Sequence, residues 1–405
     1  MDQKLKNYTE EVYEETQKII DLFGPRLAGT KNALDAGDYI YDSINEFADE
    51  AHKEEFHVYQ GAFLGWIRIL VFNYLLALVF LWLDYAFVSF ILLIVSVLVL
   101  VLQFFLYMPL LDHFYPKKKG KNVYGTIEPK KEVKQQIIVS GHHDSARIFN
   151  FFIKQPKLYN LRTTGSIALV IILALVSLVF LITPWLDSIS LYVKILFSIS
   201  FLLVGQMWFF ASKKGTPGAG DNLVASMIAL EIGKHFKLVE QLEHTRIIVL
   251  SFDAEEEGLR GARAYVKAHE KELKDIPTYL LNADCLYDEK ELFFLTSDLN
   301  NFVKFDDQYT DELLDISDAE GIFTFKQPLA FLTGGTDAAE FAKRGITSTT
   351  LIGMPWSNSN RNTSYHTPND TLDHVNFNVV HDTMKIFMGY IRYKDKKVGA
   401  PVEGN

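Results

Sequence analysis

His142 and Asp144 in GHHDS, Asp221 in GAGDN, Glu255 and Glu256 in DAEEEGL, Asp284 in LLNADC and His366 in SYHTPNDT form a scattered set of imidazoles and carboxylates. Most of them stand just after a short apolar run. Two imidazoles with several carboxylates suit divalent ions that accept mixed nitrogen and oxygen donors. A pair of such ions can activate water for attack on a carbonyl. Four long apolar segments divide the set into pieces. The first reading is therefore a membrane-embedded two-metal hydrolase.

Each motif also has a plainer reading. H-x-D places Asp144 where it can take the second N–H of a metal-bound His142 and fix its tautomer. His143 competes for the ligand role, and a lone H-x-D is usually an exposed loop. Asp221 follows glycines and precedes a helical stretch, so taken singly it is an N-cap. The acids of DAEEEGL come straight after a buried strand, where a solvated helix face does not explain them. One such Glu can bind metal while its neighbour acts as general base. Asp284 reads equally as a strand-end acid, Cys285 as a small buried hydrophobe, and His366 as a loop histidine.

The elements that would position these groups alternate in type. Residues 8–23 and 33–50 have helical spacing, with the GPRLAGT loop between them. EEFHVYQ reads as a strand. QQIIVSG leads to His142, TRIIVLSF to the acidic cluster and TYLLNA to Asp284, and STTLIG is a further strand. GLRGARAYVKAHEKEL is the helix after the acidic cluster. Strands alternating with helices predict a largely parallel sheet, with sites at the carboxyl ends of strands. The tail after residue 393 reads as disordered.

The 405 residues are 49% hydrophobic with 31 Phe, too apolar for an average soluble enzyme. Residues 64–82, 86–111, 165–186 and 189–211 are each long enough to cross a hydrocarbon core of about 30 Å. They pair into two hairpins. Arg68, Lys117, Lys118, Lys119, Lys121, Lys154, Lys157, Arg162, Lys213 and Lys214 cluster at the hairpin roots, whereas Asp84 and Asp187 mark the tips beside a single cation, Lys194. The positive-inside tendency puts the roots, the polar parts and both termini in the cytoplasm. Sequons at Asn7, Asn362 and Asn369 suit the opposite topology. No strongly polar residue sits mid-span as an ion pathway would need. The net charge of −10 argues against nucleic acid as a partner. A single Cys excludes an internal disulfide. Residues 1–60 lack the apolar stretch of a signal peptide.

Taken together, the polar parts resemble the co-catalytic zinc exopeptidases of metallopeptidase family 28, which include bacterial leucyl aminopeptidases and aminopeptidase Y. The resemblance runs over roughly 1–60, 122–157 and 213–392. It rests on GPRLAG, the H-x-D of His142 and Asp144, GAxDN around Asp221 and FxxEExGLxG from Phe252 to Gly261. It also rests on Asp284, the TDAAEF segment and YHTPxDT at 365–371. The implied fold is a three-layer α/β/α zinc-exopeptidase fold with a mixed, largely parallel sheet; the two transmembrane hairpins read from the apolar segments depart from the family by interrupting it. The implied segments are 1–60, 113–157 and 213–392 for the peptidase domain, 61–112 and 158–212 for the hairpins, and 393–405 for the tail.

The resemblance implies two zinc ions bridged by Asp221. His142 and Asp284 would complete one shell, Glu256 and His366 the other. Asp144 would orient His142, Glu255 would be the general base, and Tyr365 would help stabilise the oxyanion. Cobalt and manganese suit the same donors. The implied partner is a peptide with a free N-terminus; the apolar segments add a lipid bilayer. Family members usually carry an acid-His pair where this chain has Thr336-Asp337-Ala338. Alternatives on the same fold are a carboxypeptidase or a glutaminyl cyclase; the cyclases use one zinc. A catalytically silent membrane scaffold is the alternative of another class.

Overall fold

The computed structural model describes residues 2–183, 187–356 and 362–399. The chain forms two compact units. One combines residues 2–58, 117–147 and 214–399; the other combines residues 59–116 and 148–213.

The first unit is built on a nine-stranded sheet of β1 (Glu50–Tyr59), β2 (Lys117–Ile127), β3 (Gln135–His142), β4 (Thr245–Phe252), β5 (Thr278–Leu286), β6 (Leu292–Asp298), β7 (Val303–Lys304), β8 (Phe325–Pro328) and β9 (Thr347–Gly353). The order is β1-β2-β4-β3-β5-β9-β6-β8, with β7 on β6. The central strands β4, β3, β5 and β9 run parallel, flanked by antiparallel β2 and β6. Every residue of β3 is buried, as expected of a strand covered on both faces. The register pairs His142 with Phe252 and Asp284 with Ile352. The carboxyl ends of three parallel strands therefore align.

Helices α1 (Asp2–Phe23), α2 (Lys31–Asn45), α7 (Val224–Leu238), α8 (Arg260–Asp275), α9 (Asp307–Ala319) and α10 (Phe377–Gly399) belong to this unit; α3 to α6 belong to the other. In α2 the Thr30 hydroxyl accepts from the Ala33 N–H, and Ala33, Ala36, Gly37, Ile40 and Ile44 form one buried face. The expected disordered tail is corrected in part. Helix α10 continues to Gly399 because Asp395 accepts the backbone N–H groups of Glu243, His244 and Thr245.

The second unit holds α3 (Gly65–Trp82), α4 (Ala86–Leu100), α5 (Tyr159–Ile182) and α6 (Asp187–Val204). Four helices, the second extended to Phe105 by a π turn, are long and apolar enough to cross a membrane. Their core packs Leu70, Tyr74, Ala77, Leu93, Val170 and Leu173. Their outward side chains are also apolar, among them Phe72, Phe87, Leu98, Ile172, Leu175 and Ile199. A helix apolar all round is unlike the amphipathic helices of the first unit. Few polar ties join these helices. The Ser89 hydroxyl donates to the Ala77 carbonyl at 2.7 Å, Tyr74 and Ser200 share a hydrogen bond at 2.6 Å, and Lys194 Nζ pairs with Asp84 Oδ1 at 2.5 Å. Residues 184–186 lie outside the described residues, and the side chain of Asp187, expected at the hairpin tip, is not described.

Candidate metal centre

The carboxyl-terminal ends of β3, β4 and β5 deliver His142, the Asp253–Glu256 loop and Asp284 to one place. Asp221 arrives on the loop before α7, and His366 on the loop before α10. Asp221 does not cap a helix. It has non-helical backbone angles, its peptide to Asn222 is cis, and α7 begins only at Val224. Ala254, Leu259 and His366 adopt left-handed backbone conformations, which for residues with a Cβ mark loops held by their surroundings.

His142 Nε2 lies 3.4 Å from Asp221 Oδ1, 3.9 Å from Glu255 Oε2 and 4.0 Å from Asp284 Oδ1. His366 Nε2 lies 3.2 Å from Asp221 Oδ2 and 3.5 Å from Glu256 Oε1. Asp221 thus turns one oxygen to each histidine. Three triads have donor atoms within 4.8 Å of one another: His142, Asp221 and Asp284; Asp221, Glu256 and His366; and His142, Glu255 and Glu256. Donors about 2.0–2.2 Å from one zinc ion stand roughly 3.3–3.6 Å apart in a tetrahedron; the distances of His142 and His366 to Asp221 and of His366 to Glu256 are close to this, and those of His142 to Glu255 and Asp284 are wider.

Polar satisfaction makes the same case. His142 Nε2, Asp221 Oδ2, Glu256 Oε1 and Asp284 Oδ1 are hidden from solvent and make no hydrogen bond. Buried polar atoms without partners are costly, and buried charges are normally paired or metal-bound. The donor set fits zinc.

The proton affinities express the crowding of charge. Burial opposes the charged form of His142, yet Asp144, Asp221 and Glu255 raise its pKa well above the usual value. Burial also opposes charge on His366, but Glu256 and Asp221 push it up to about 10. Burial works to raise Asp221, and the two histidines hold it well below the carboxylate range instead. Burial raises Asp284 to about 7, with help from Asp221 and Glu256. Glu255 is raised by burial first and then by Glu256, Asp284 and Asp337, against His142.

The surrounding residues hold the loops. Asp144 Oδ1 lies 3.2 Å from His142 Nδ1, and the Asp144 carboxylate accepts the backbone N–H groups of Glu255 and Glu256. Arg26 of GPRLAG donates to the carbonyls of His143, Gly24, Pro217 and Gly218 at 2.8–2.9 Å, tying the His142 loop to the Asp221 loop. His143, the competitor for the ligand role, turns its Nδ1 to Ser251 Oγ and joins none of the triads. Tyr365 packs against the His366 ring at a centroid distance of 4.0 Å, the two planes tilted by 35°.

Three buried acids escape a reading of the motifs alone. Asp253 accepts from the Lys121 backbone N–H, Asp370 accepts from the Gly220 N–H, and Asp337 makes no side-chain hydrogen bond. Asp253 and Asp370 lie inside motifs already singled out, DAEEEGL and YHTPNDT. The signal for Asp337 was the altered TDAAEF segment.

The sheet order and the flanking helices define the fold of the zinc exopeptidases. A zinc aminopeptidase from Bacillus subtilis superposes with a TM-score of 0.58 at 14% identity, covering 95% of each chain. Glutaminyl cyclase from Bacteroides thetaiotaomicron gives 0.58 at 12%, covering 95% of this chain and 97% of that one. A Zn-dependent exopeptidase from Parabacteroides distasonis gives 0.57 at 12%, with the same coverage. No curated protein matches the chain in sequence. Residues 199–391 match the Peptidase family M28 model. The matched stretch includes Asp221, Glu255, Glu256, Asp284 and His366; His142 and Asp144 precede it.

Proposed function

We propose that the protein is a membrane-embedded two-zinc metalloexopeptidase, an aminopeptidase that removes N-terminal residues from peptides. The observation that carries this reading is the shared carboxylate, with Asp221 facing His142 through one oxygen and His366 through the other. In this reading His142 and Asp284 hold one ion, Glu256 and His366 the other, and Asp221 both. Zinc bound there supplies a water of near-neutral pKa and polarises the scissile carbonyl.

The chain's own residues do the rest. Asp144 holds the His142 ring so that Nε2 faces the cluster. Glu255 stands at its edge, takes the proton of the attacking water on a carboxylate oxygen and passes it to the leaving amine. Tyr365, fixed against His366, offers its hydroxyl to the developing oxyanion. The four apolar helices lie in the bilayer, and the basic residues at their roots put the peptidase unit on the cytoplasmic side. Their outward apolar side chains support this reading.

The test is hydrolysis of a panel of aminoacyl fluorogenic substrates by detergent-purified protein, with and without chelator, beside Glu255→Gln. Chelator-sensitive release is expected. Glu255→Gln is expected to keep its metal and lose roughly 10²–10⁴-fold in rate. Normal turnover by that variant would sink the assignment. A second reading, glutaminyl cyclisation, draws on the cyclases' equal likeness to this fold. One bound zinc with cyclised product would favour it; two zinc ions with released amino acid would favour the peptidase.

A further inference from the structure

Asp221 lies on a loop, residues 217–222, that is tied separately to the elements carrying the other ligands. Arg26 donates to the carbonyls of Pro217 and Gly218 and to that of His143, so it joins the loop to the His142 side. The Asn222 amide donates to the Ala283 carbonyl at 2.9 Å, one residue before Asp284. Towards His366 the loop is tied to Asp370. Asp370 Oδ1 accepts the Gly220 N–H at 2.9 Å, and the Asp370 carbonyl accepts the Ala219 N–H at 3.1 Å. Asp370 is itself part of the His366 loop, since its N–H donates to the carbonyl of Thr367 at 3.2 Å.

The ties therefore divide between the two histidines. Those of Arg26 and Asn222 fix Asp221 relative to His142 and Asp284; those of Asp370 fix it relative to His366. Asp370 is fully buried, and the Gly220 N–H that it accepts would be costly to leave unpaired there. Gly220 is also closely packed. A Cβ on it would run into the Tyr287 ring, and Tyr287 is held by its own N–H on the Gly353 carbonyl at 2.8 Å. A ring and a carboxylate thus both meet the loop at the residue before Asp221. A carboxylate is rigid and planar, so its second oxygen can meet an ion beside His366 only while the two loops stay in register.

We propose that Asp370 is a positioning residue for one of the two ions. It sets Asp221 against His366 and so governs the affinity of the Asp221, Glu256 and His366 site. The His142, Asp221 and Asp284 site depends on Arg26 and Asn222 instead. Without the Asp370 tie, Asp221 stays with His142 and Asp284 while the His366 loop drifts from it. This assignment rests on the two-zinc reading.

The experiment uses the full chain in detergent and measures zinc affinity by competition with a chelator of known affinity. Two parent variants each keep three ligands for a single ion: His142→Ala leaves Asp221, Glu256 and His366, and His366→Ala leaves His142, Asp221 and Asp284. Adding Asp370→Ala to the first is expected to weaken zinc binding about 10- to 100-fold. Adding it to the second is expected to change binding by no more than about twofold, as for independent sites. Asp370→Asn keeps an acceptor oxygen and is expected to hold zinc like its parent in both. Should the alanine variant not fold, Asp370→Ser serves in its place, because its shorter side chain leaves the Gly220 N–H unreached. Equal weakening in both parents overturns the proposal, as it would mark a general loosening of the fold. Unchanged affinity in both overturns it too, and so does an asparagine variant as weak as the alanine one. A wild type that binds fewer than two zinc ions defeats the two-zinc reading itself.

Discussion

Asp144 uses one carboxylate for two tasks. It meets His142 Nδ1 at 3.2 Å and accepts the N–H groups of Glu255 and Glu256. It therefore aims an imidazole from one strand end and two glutamates from the next. Asn in its place keeps the shape but removes the charge that orients the ring. Asp144→Asn is expected to weaken zinc binding about 10- to 100-fold, measured by competition with a chelator of known affinity. Unchanged affinity would mean that the His142 ring is held by packing alone. At this scale the residue types and their local order carried the reading of the site, since motifs that each have a plain structural use point to one chemistry when taken together. Asp337 was less legible. Its burial without a side-chain hydrogen bond is set by packing and leaves no mark in a sequence.

At the scale of elements, the apolar runs leading to His142, Glu255 and Asp284 are legible because parallel strands covered on both faces must be nearly continuous in apolar residues. β2 was not, as its KKKGKNVYGTI begins with exposed lysines and becomes buried only from Gly120 onward. The end of α10 was hidden for a similar reason. Its polar residues read as a tail, yet Lys394 lies over the Tyr279 ring at 3.8 Å and Asp395 accepts three backbone N–H groups at the start of β4.

The same helix anchors α7. Arg392 grips Glu240 through Nε and Nη2 at 2.7–3.0 Å, and His235 meets Glu240 at 3.0 Å. Arg392, then His235, holds the Glu240 carboxyl at about 2, below its ordinary 4.5, against the effect of burial. The folded protein thus binds this proton less tightly than the unfolded chain. The pair stabilises above about pH 4.5, and that contribution fades as the pH falls towards 2. Glu240→Gln should lower the thermal midpoint at pH 7, and its deficit should shrink on acidification. Solvent screening limits the effect to about 1 kcal/mol. A deficit independent of pH would assign the loss to packing.

For the whole molecule, two kinds of helix separate the units. Helices such as α2 bury one face on the sheet; α3 to α6 are apolar on their outer faces as well. If the bilayer covers those faces, the protein stays in the membrane fraction after alkaline carbonate extraction. In sealed vesicles with the cytoplasmic face outward, a protease should then cut the peptidase unit. Release by carbonate would refute the embedded reading, and full protection would reverse the orientation.

Composition and apolar run length determined by themselves that part of this chain suits a bilayer and part an α/β core, because burial of apolar area depends on residue type and period alone. Local motifs likewise determined which side chains have metal-binding chemistry. Only the tertiary structure decided that strand ends distant in sequence meet, that Asp221 faces two histidines rather than capping a helix, and that Asp337 is buried without a side-chain hydrogen bond. Those outcomes depend on strand register and loop closure across long separations, where each contact is set by all the others.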